Sequence, residues 1–224
     1  MGPVPQNIAP MIDHTILKPD ATEDEILRLC EEARTYRFAS VCVQPRYVRL
    51  CARALEGSPV AVCTVVGFPH GANESEVKAF EAQLALGRGA REIDMVIPIG
   101  AAKSGRWEQV REDIRSVVRV VPPPNLTKVI LEMAYLTTSE KRTACQIAKE
   151  EGAAFVKTST GFGPGGATLD DIRLMRDVVG PSMGIKAAGG IRDKETAEKM
   201  ITAGATRIGA SASIRIVSGN GDSR

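Results

Sequence analysis

Two lysines stand in runs that are otherwise apolar or small: Lys157 in Ala-Phe-Val-Lys-Thr-Ser-Thr-Gly (154–161) and Lys186 in Gly-Ile-Lys-Ala-Ala-Gly-Gly (184–190). A charged amine on a buried strand is costly unless it is paired or has given up its proton. Desolvation and a neighbouring cation both favour the neutral amine, the form that adds to carbonyls. Two such lysines on adjacent strands therefore point to Schiff-base chemistry. The structural alternative is that each reaches a strand end and pairs with a carboxylate. One acid is available inside an apolar strand: Asp94, in Glu-Ile-Asp-Met-Val-Ile (92–97). It reads either as an ion-pair partner or as the group that moves protons while a carbon–carbon bond breaks. Asp13 and His14 form a second polar pair between apolar residues. Asp13 is read as an orienting group at a strand end, His14 as a hydrogen-bonded core histidine.

Glycine-rich turns accompany these runs at 160–166, at Ala188-Gly189-Gly190 and at Gly209-Ala210-Ser211. Glycine lets backbone N–H groups approach an anion closely, and a helix start beyond the turn adds partial positive charge. One such turn alone marks only a tight loop; their shared late position favours a phosphate site. Other chemistries lack their residues. The only histidines, His14 and His70, are not in metal-ligand spacing, and neither a Gly-x-Ser-x-Gly elbow nor a Walker loop is present. No metal or organic cofactor is expected, and nucleophilic catalysis falls to lysine.

The elements that must position these groups alternate along the chain. Strand-like runs lie at 39–43, 60–66, 92–97, 128–132, 154–158, 184–188 and 207–210, with an eighth, short strand expected within 11–17. Most are continuously apolar, as parallel strands covered on both faces are. Helical patterns fill the intervals at 23–36, 73–87, 106–121, 139–151, 169–179 and 193–203, several opening on Ser, Thr or Asp. They show no apolar face beyond what a core requires. An open doubly wound sheet would carry its glycine-rich loop after the first strand. Here the glycine turns follow the late strands, which predicts a closed (β/α)8 barrel as one domain over 11–217, with an extension at 1–10 and a flexible tail at 218–224.

Composition narrows the function classes. A net charge of +2 with interspersed signs and only nine aromatics (Phe 5, Tyr 3, Trp 1) give no footprint for nucleic acid. No apolar run approaches the ~18 residues of a membrane span. The first ten residues have neither a basic start nor an apolar stretch, so they do not read as a leader. Five cysteines without Cys-x-x-Cys spacing read as small buried hydrophobes in a reducing compartment, which makes a cytoplasmic protein the expectation.

With these residues in view, the chain resembles the deoxyribose-phosphate aldolase family. The segments that carry the resemblance are 12–20, 40–47, 65–69, 92–96, 155–162 and 184–192, and it extends over most of 11–217. It implies a cofactor-free class I aldolase on a barrel, acting on small phosphosugars and aldehydes and forming a homodimer or other homo-oligomer. Carried over by motif, Lys157 matches the Schiff-base lysine, Lys186 the lysine that lowers its pKa, and Asp94 the acid/base carboxylate. Asp13 matches an acid of the same network. Gly161, Gly189, Gly190, Gly209 and Ser211 match the turns that contact phosphate. The chain departs from the pattern in several places, among them Pro98, Gln44 and Met133-Ala134, which replace the usual Asn, Asn and Thr-Gly near strand ends. Ala212 stands where the family commonly has a second serine, Phe162 where some members have a lysine, and the end at Gly219-Asn-Gly-Asp-Ser-Arg224 lacks the usual tyrosine. Either the tail is truncated, or water and Asp94 handle the proton at the enamine carbon more slowly. Two other readings stay open: a related Schiff-base lyase for another aldehyde or an unphosphorylated sugar, and a phosphosugar-binding barrel without catalysis.

Overall fold

Strands and helices alternate through the chain as the sequence predicts, and the first strand closes on the last. In the computed structural model, which describes residues 4–219, the strands are β1 (Ile12–Ile16), β2 (Ser40–Val43), β3 (Ala61–Val66), β4 (Glu92–Val96), β5 (Leu126–Ile130), β6 (Phe155–Lys157), β7 (Gly184–Ala188) and β8 (Arg207–Ala210). All pair in parallel in the order β1 to β8, and β1 also pairs with β8 to close the barrel. The helices are α1 (Glu23–Tyr36), α2 (Val48–Ala54), α3 (Ser75–Gly87), α4 (Ile99–Lys103), α5 (Trp107–Val120), α6 (Thr138–Glu150), α7 (Leu169–Val179), α8 (Lys194–Ala203) and α9 (Ser213–Ser218). Helices α2, α4 and α9 were not expected; at 7, 5 and 6 residues they are too short for a 3.6-residue period to register. Residues 220–224 of the expected tail and 1–3 of the expected extension lie outside the described residues.

Two boundaries differ for identifiable reasons. The strand expected at 128–132 runs over Leu126–Ile130, because Glu132 takes a left-handed conformation (φ 50°) and turns the chain away. The cap of α6 is Thr137, not Ser139: its hydroxyl accepts from the Glu140 N–H while the Glu140 carboxylate accepts from the Thr137 N–H. Gly89, Gly152 and Gly204, just past the ends of α3, α6 and α8, adopt the positive φ (107°, 81° and 124°) that suits a helix stop.

The main apolar core lies between barrel and helices, and includes Ile26, Leu29, Val41, Ile93, Met95, Ile114, Val129, Ile172 and Ile208. Inside the barrel the filling is of two kinds. A small cluster of Leu17, Cys42, Cys63 and Val65 fills the side of the early strands. The rest of the interior carries Asp13, Glu92, Asp94, Lys128, Lys157 and Lys186, all buried. A barrel interior is ordinarily layered with branched aliphatics. Ions in that place mark this interior as more than packing. Gly184 is required for space: a Cβ there would come within 2.3 Å of the Phe155 ring, which fills the gap below the charges.

Helix α3 corrects the expectation of no excess apolar face. Its barrel-facing positions are Lys78, Ala82 and Ala85, so Val77, Phe80 and Leu84 point outward and are 49%, 65% and 42% exposed. Lys78 is fully buried and donates to the Val96 carbonyl (2.9 Å) and to Asp113 on α5 (2.8 Å), tying both helices to the end of β4. Lys78→Met strands Asp113 without its counter-ion and should cost about 3–5 kcal/mol of folding stability. Urea unfolding of that variant, and of a Lys78→Met/Asp113→Leu double variant that regains most of the loss, checks the figure.

Candidate active site

The ionic interior is one connected cluster built from six strands. On β4 the two-residue period turns both Glu92 and Asp94 inward, and register sets Asp94 beside Lys128 on β5. On the other side Lys157 on β6 is in register with Lys186 on β7, and Lys186 with Arg207 on β8. Asp13 on β1 closes the ring beside Gly209. Gly209 has a packing role here, since an added Cβ would lie 2.9 Å from the Lys186 Cε. Thr158 clamps β6 to β7 by donating its hydroxyl to the Ala188 carbonyl and accepting from the Ala188 N–H (2.9 and 3.0 Å).

Asp94 is the hub. Its Oδ2 accepts from Lys157 (2.8 Å) and Lys186 (2.7 Å), and its Oδ1 from Lys128 (2.8 Å) and the Cys63 thiol (3.2 Å). The Lys157 and Lys186 nitrogens thus share one oxygen, which keeps the two amines within a few ångströms of each other. Lys186 also pairs with Asp13 Oδ2 at 2.5 Å. Lys128 pairs with Glu92 (2.5 Å) and, more distantly, with Asp13 (3.6 Å). Arg207 pairs with Asp13 (2.6 Å) and Glu92 (3.1 Å). Among the described residues Lys157 has a single carboxylate partner, Asp94.

These contacts decide protonation. Burial pushes the Lys186 amine down, but Asp13 and Asp94 outweigh it and hold the amine above the ordinary lysine value. Lys128 is likewise held high, by Asp94 above all, against burial. Burial pushes Asp94 up, but Lys128, Lys157 and Lys186 overcome it, so its carboxyl lies well below the usual range. Asp13 is lowered in the same way by Lys186, Lys128 and Arg207, against burial. The cluster therefore sets four cationic side chains (Lys128, Lys157, Lys186, Arg207) against three carboxylates (Asp13, Glu92, Asp94). Uncompensated charge in a buried site costs several kcal/mol. Among the described residues, Lys157 is the amine with the least anionic company.

Above the cluster opens a cavity of about 260 Å³. Lys157, Lys186, Gly161, Gly189, Gly190, Gly209 and Ser211 all line it, joined by Thr160 and Arg192. Every residue read from the sequence as nucleophile, neighbouring lysine or phosphate turn thus faces one space. Asp94 and Asp13 lie beneath it rather than in its wall. The Gly161, Gly189 and Gly190 backbones have φ of 85°, 92° and 80°, conformations that side chains rarely adopt. At the rim, α9 begins at Ala212 with no side-chain cap, which leaves its first N–H groups open to an anion. Ser213 does not join Ser211 there: its hydroxyl turns inward to His14 Nδ1 (2.9 Å) and the Ala210 carbonyl. His14 also meets Glu32 (2.7 Å) and is the hydrogen-bonded core histidine expected.

Sequence reasoning missed Lys128, Glu92, Arg207 and Cys63. The period-2 rule applied outward from Asp94 would have found Glu92. Lys128 and Arg207 begin the strand runs expected at 128–132 and 207–210, where a charged residue reads as a loop end. Two side-chain groups, Cys42–Cys63–Asp94 and Asp13–Cys63–Glu92, are close enough to share a metal ion. Their carboxylates are already compensated by Lys128, Lys186 and Arg207, and burial together with Asp94 holds the Cys63 thiol protonated. That donor set suits amines rather than a metal.

A model of the family described as DeoC/LacD family aldolase matches residues 8–221. A deoxyribose-phosphate aldolase of Halalkalibacterium halodurans is 58% identical over 215 residues, 96% of either chain. One from Listeria monocytogenes is 60% identical over 212 residues, 95% of either chain. Among solved structures, the tetrameric deoxyribose phosphate aldolase of Aeropyrum pernix superposes with a TM-score of 0.90 at 32% identity, covering 96% of this chain and 91% of its own. The aldolase QR15 gives the same TM-score at 40% identity, covering 95% of both chains.

Proposed function

The chain belongs to the DeoC/LacD aldolase family and reversibly cleaves 2-deoxy-D-ribose 5-phosphate to D-glyceraldehyde 3-phosphate and acetaldehyde; we propose that it does so through an imine on Lys157. The observation that carries this reading is the unequal pairing of the lysines. Among the described residues, Lys186 and Lys128 are fixed as cations by two or more carboxylates each, while Lys157 has one and opens on the cavity. A neutral amine at that point has both the lone pair and the access to attack an aldehyde.

The Lys157 nitrogen adds to C1 of the open-chain sugar, and loss of water leaves a protonated imine. The bond that then opens is C2–C3: the two-carbon aldehyde carries off C1 and C2, which excludes the C3–C4 bond. Its electron pair flows into the imine to give an enamine, while the C3 hydroxyl loses its proton and becomes the carbonyl of the three-carbon product. Asp94 is the carboxylate for that proton. Because it lies beneath the cavity with both oxygens engaged, it acts through a water or through Lys186, bonded to the same oxygen. Protonation of the enamine and hydrolysis release acetaldehyde and free Lys157. The turns at Gly161, Gly189–Gly190 and Gly209–Ser211, with the uncapped start of α9, take the phosphate.

We also read the protein as a cytoplasmic homo-oligomer. The tetrameric Aeropyrum pernix relative supports association, as does the exposed apolar stripe on α3. No helix of the described residues is long and apolar enough to cross a membrane.

Treatment with acetaldehyde and borohydride tests the imine. A reduced two-carbon adduct is expected on the peptide that contains Lys157. An adduct confined to Lys186 or Lys128, or none, would remove the mechanism.

A further inference from the structure

Glu132 lies just past β5 in a conformation that residues other than glycine rarely take (φ 50°, ψ 62°), and it is 1% exposed. A buried, non-glycine residue in left-handed backbone persists only where its surroundings hold it, and such positions cluster at functional sites. Glu132 takes no part in the ionic cluster. Its Oε2 accepts instead from the backbone N–H of Thr160 (3.1 Å) and from the Thr160 hydroxyl. The Thr160 oxygen accepts in turn from the Phe162 N–H at 3.0 Å, which spans the turn at Gly161. Gly163 closes against the same carboxylate, and an added Cβ would lie 2.9 Å from Glu132 Cδ.

The turn so held is one wall of the cavity, through Thr160 and Gly161. It is also tied to the opposite wall, since the Ala167 N–H donates to the Gly189 carbonyl (3.0 Å). We propose that Glu132 is a positioning residue for phosphate selectivity: it fixes the Thr160–Phe162 turn so that this wall is ordered before the phosphate arrives. This rests on the reading above that the glycine turns bind the phosphate. A preformed anion site gains affinity because the loop is not ordered at the cost of binding energy. Imine formation depends on Lys157, its neighbours and the aldehyde, none of which Glu132 touches.

The test compares wild type, Glu132→Ala and Glu132→Gln on 2-deoxyribose 5-phosphate and on unphosphorylated 2-deoxyribose, with acetaldehyde–borohydride trapping alongside. Loss of two hydrogen bonds to the turn predicts a KM for the phosphorylated sugar raised about tenfold in Glu132→Ala. Its kcat, its kcat/KM on the unphosphorylated sugar and its Lys157 adduct should stay near wild type. Glu132→Gln keeps an acceptor oxygen for Thr160 and should behave as wild type. An unchanged KM, or an equal loss on both sugars, overturns the proposal. Should Glu132→Ala fail to fold, Thr160→Val removes the hydroxyl end of the same contact and should raise the same KM selectively. A wild-type enzyme indifferent to the phosphate would instead overturn the phosphate reading, whereas a missing adduct would overturn the imine alone.

Discussion

Lys157→Ala should fold with near wild-type stability and lose turnover by roughly 10⁴–10⁶-fold, the range seen when a catalytic nucleophile is deleted. The two halves of that expectation come from the same charge count. With Lys157 gone, Lys128, Lys186 and Arg207 face Asp13, Glu92 and Asp94, three against three, and every carboxylate keeps at least two cationic partners. No buried ion is stranded, so the usual penalty for breaking an interior ion pair does not apply. The measurement is paired: thermal or urea unfolding to show an intact fold, and cleavage of 2-deoxyribose 5-phosphate at saturating substrate. An inactive variant that is also strongly destabilised would leave Lys157 as a structural ion-pair partner. A variant with wild-type turnover would exclude an imine at this position.

Lys186→Leu should lower kcat by about 10²–10⁴-fold near neutral pH, the scale of losing a proton-transfer group. Without Lys186 the interior is again three against three, but Lys157 is now one of the three cations and stands as a counter-ion of Asp94. The amine proposed to attack the aldehyde is then tied to the hub carboxylate. The measurement is turnover of 2-deoxyribose 5-phosphate beside acetaldehyde–borohydride trapping, and the Lys157 adduct should fall together with kcat. A full adduct with lost turnover would show that Lys186 acts only by bonding to substrate or water. The same logic separates Lys186 from Asp94, since removing Asp94 would strand three amines and confound chemistry with stability.

Much of this site was legible because its residues break local rules. Lys157, Lys186 and Asp94 each violate an apolar run, and a violation can be seen from its immediate neighbours. Glycine turns after late strands likewise separate a closed barrel from an open sheet. Lys128, Glu92 and Arg207 could not be found in that way. What draws each into the cluster is a partner 34 to 194 residues away in the chain, and the longest of these separations, between Arg207 and Asp13, is removed only by closure of the barrel. Glu132 was misread as a strand end for a related reason. Its left-handed backbone is stabilised by Thr160, 28 residues on, and nothing next to it in sequence announces the turn. The outward stripe on α3 runs against the expectation that the helices carry no apolar face beyond what a core requires. The barrel there accepts only Ala82, Ala85 and the thin stem of Lys78.

The charge balance is not complete until the two ends of the fold meet. Arg207 comes from the last strand, and it bridges Asp13 on the first to Glu92 on the fourth. During synthesis a growing polypeptide carries Lys157 and the hub carboxylate of Asp94 before that guanidinium leaves the ribosome. An unfinished chain therefore leaves Asp13 and Glu92 short of a cationic partner, and the buried charges are matched only once the final strand has docked.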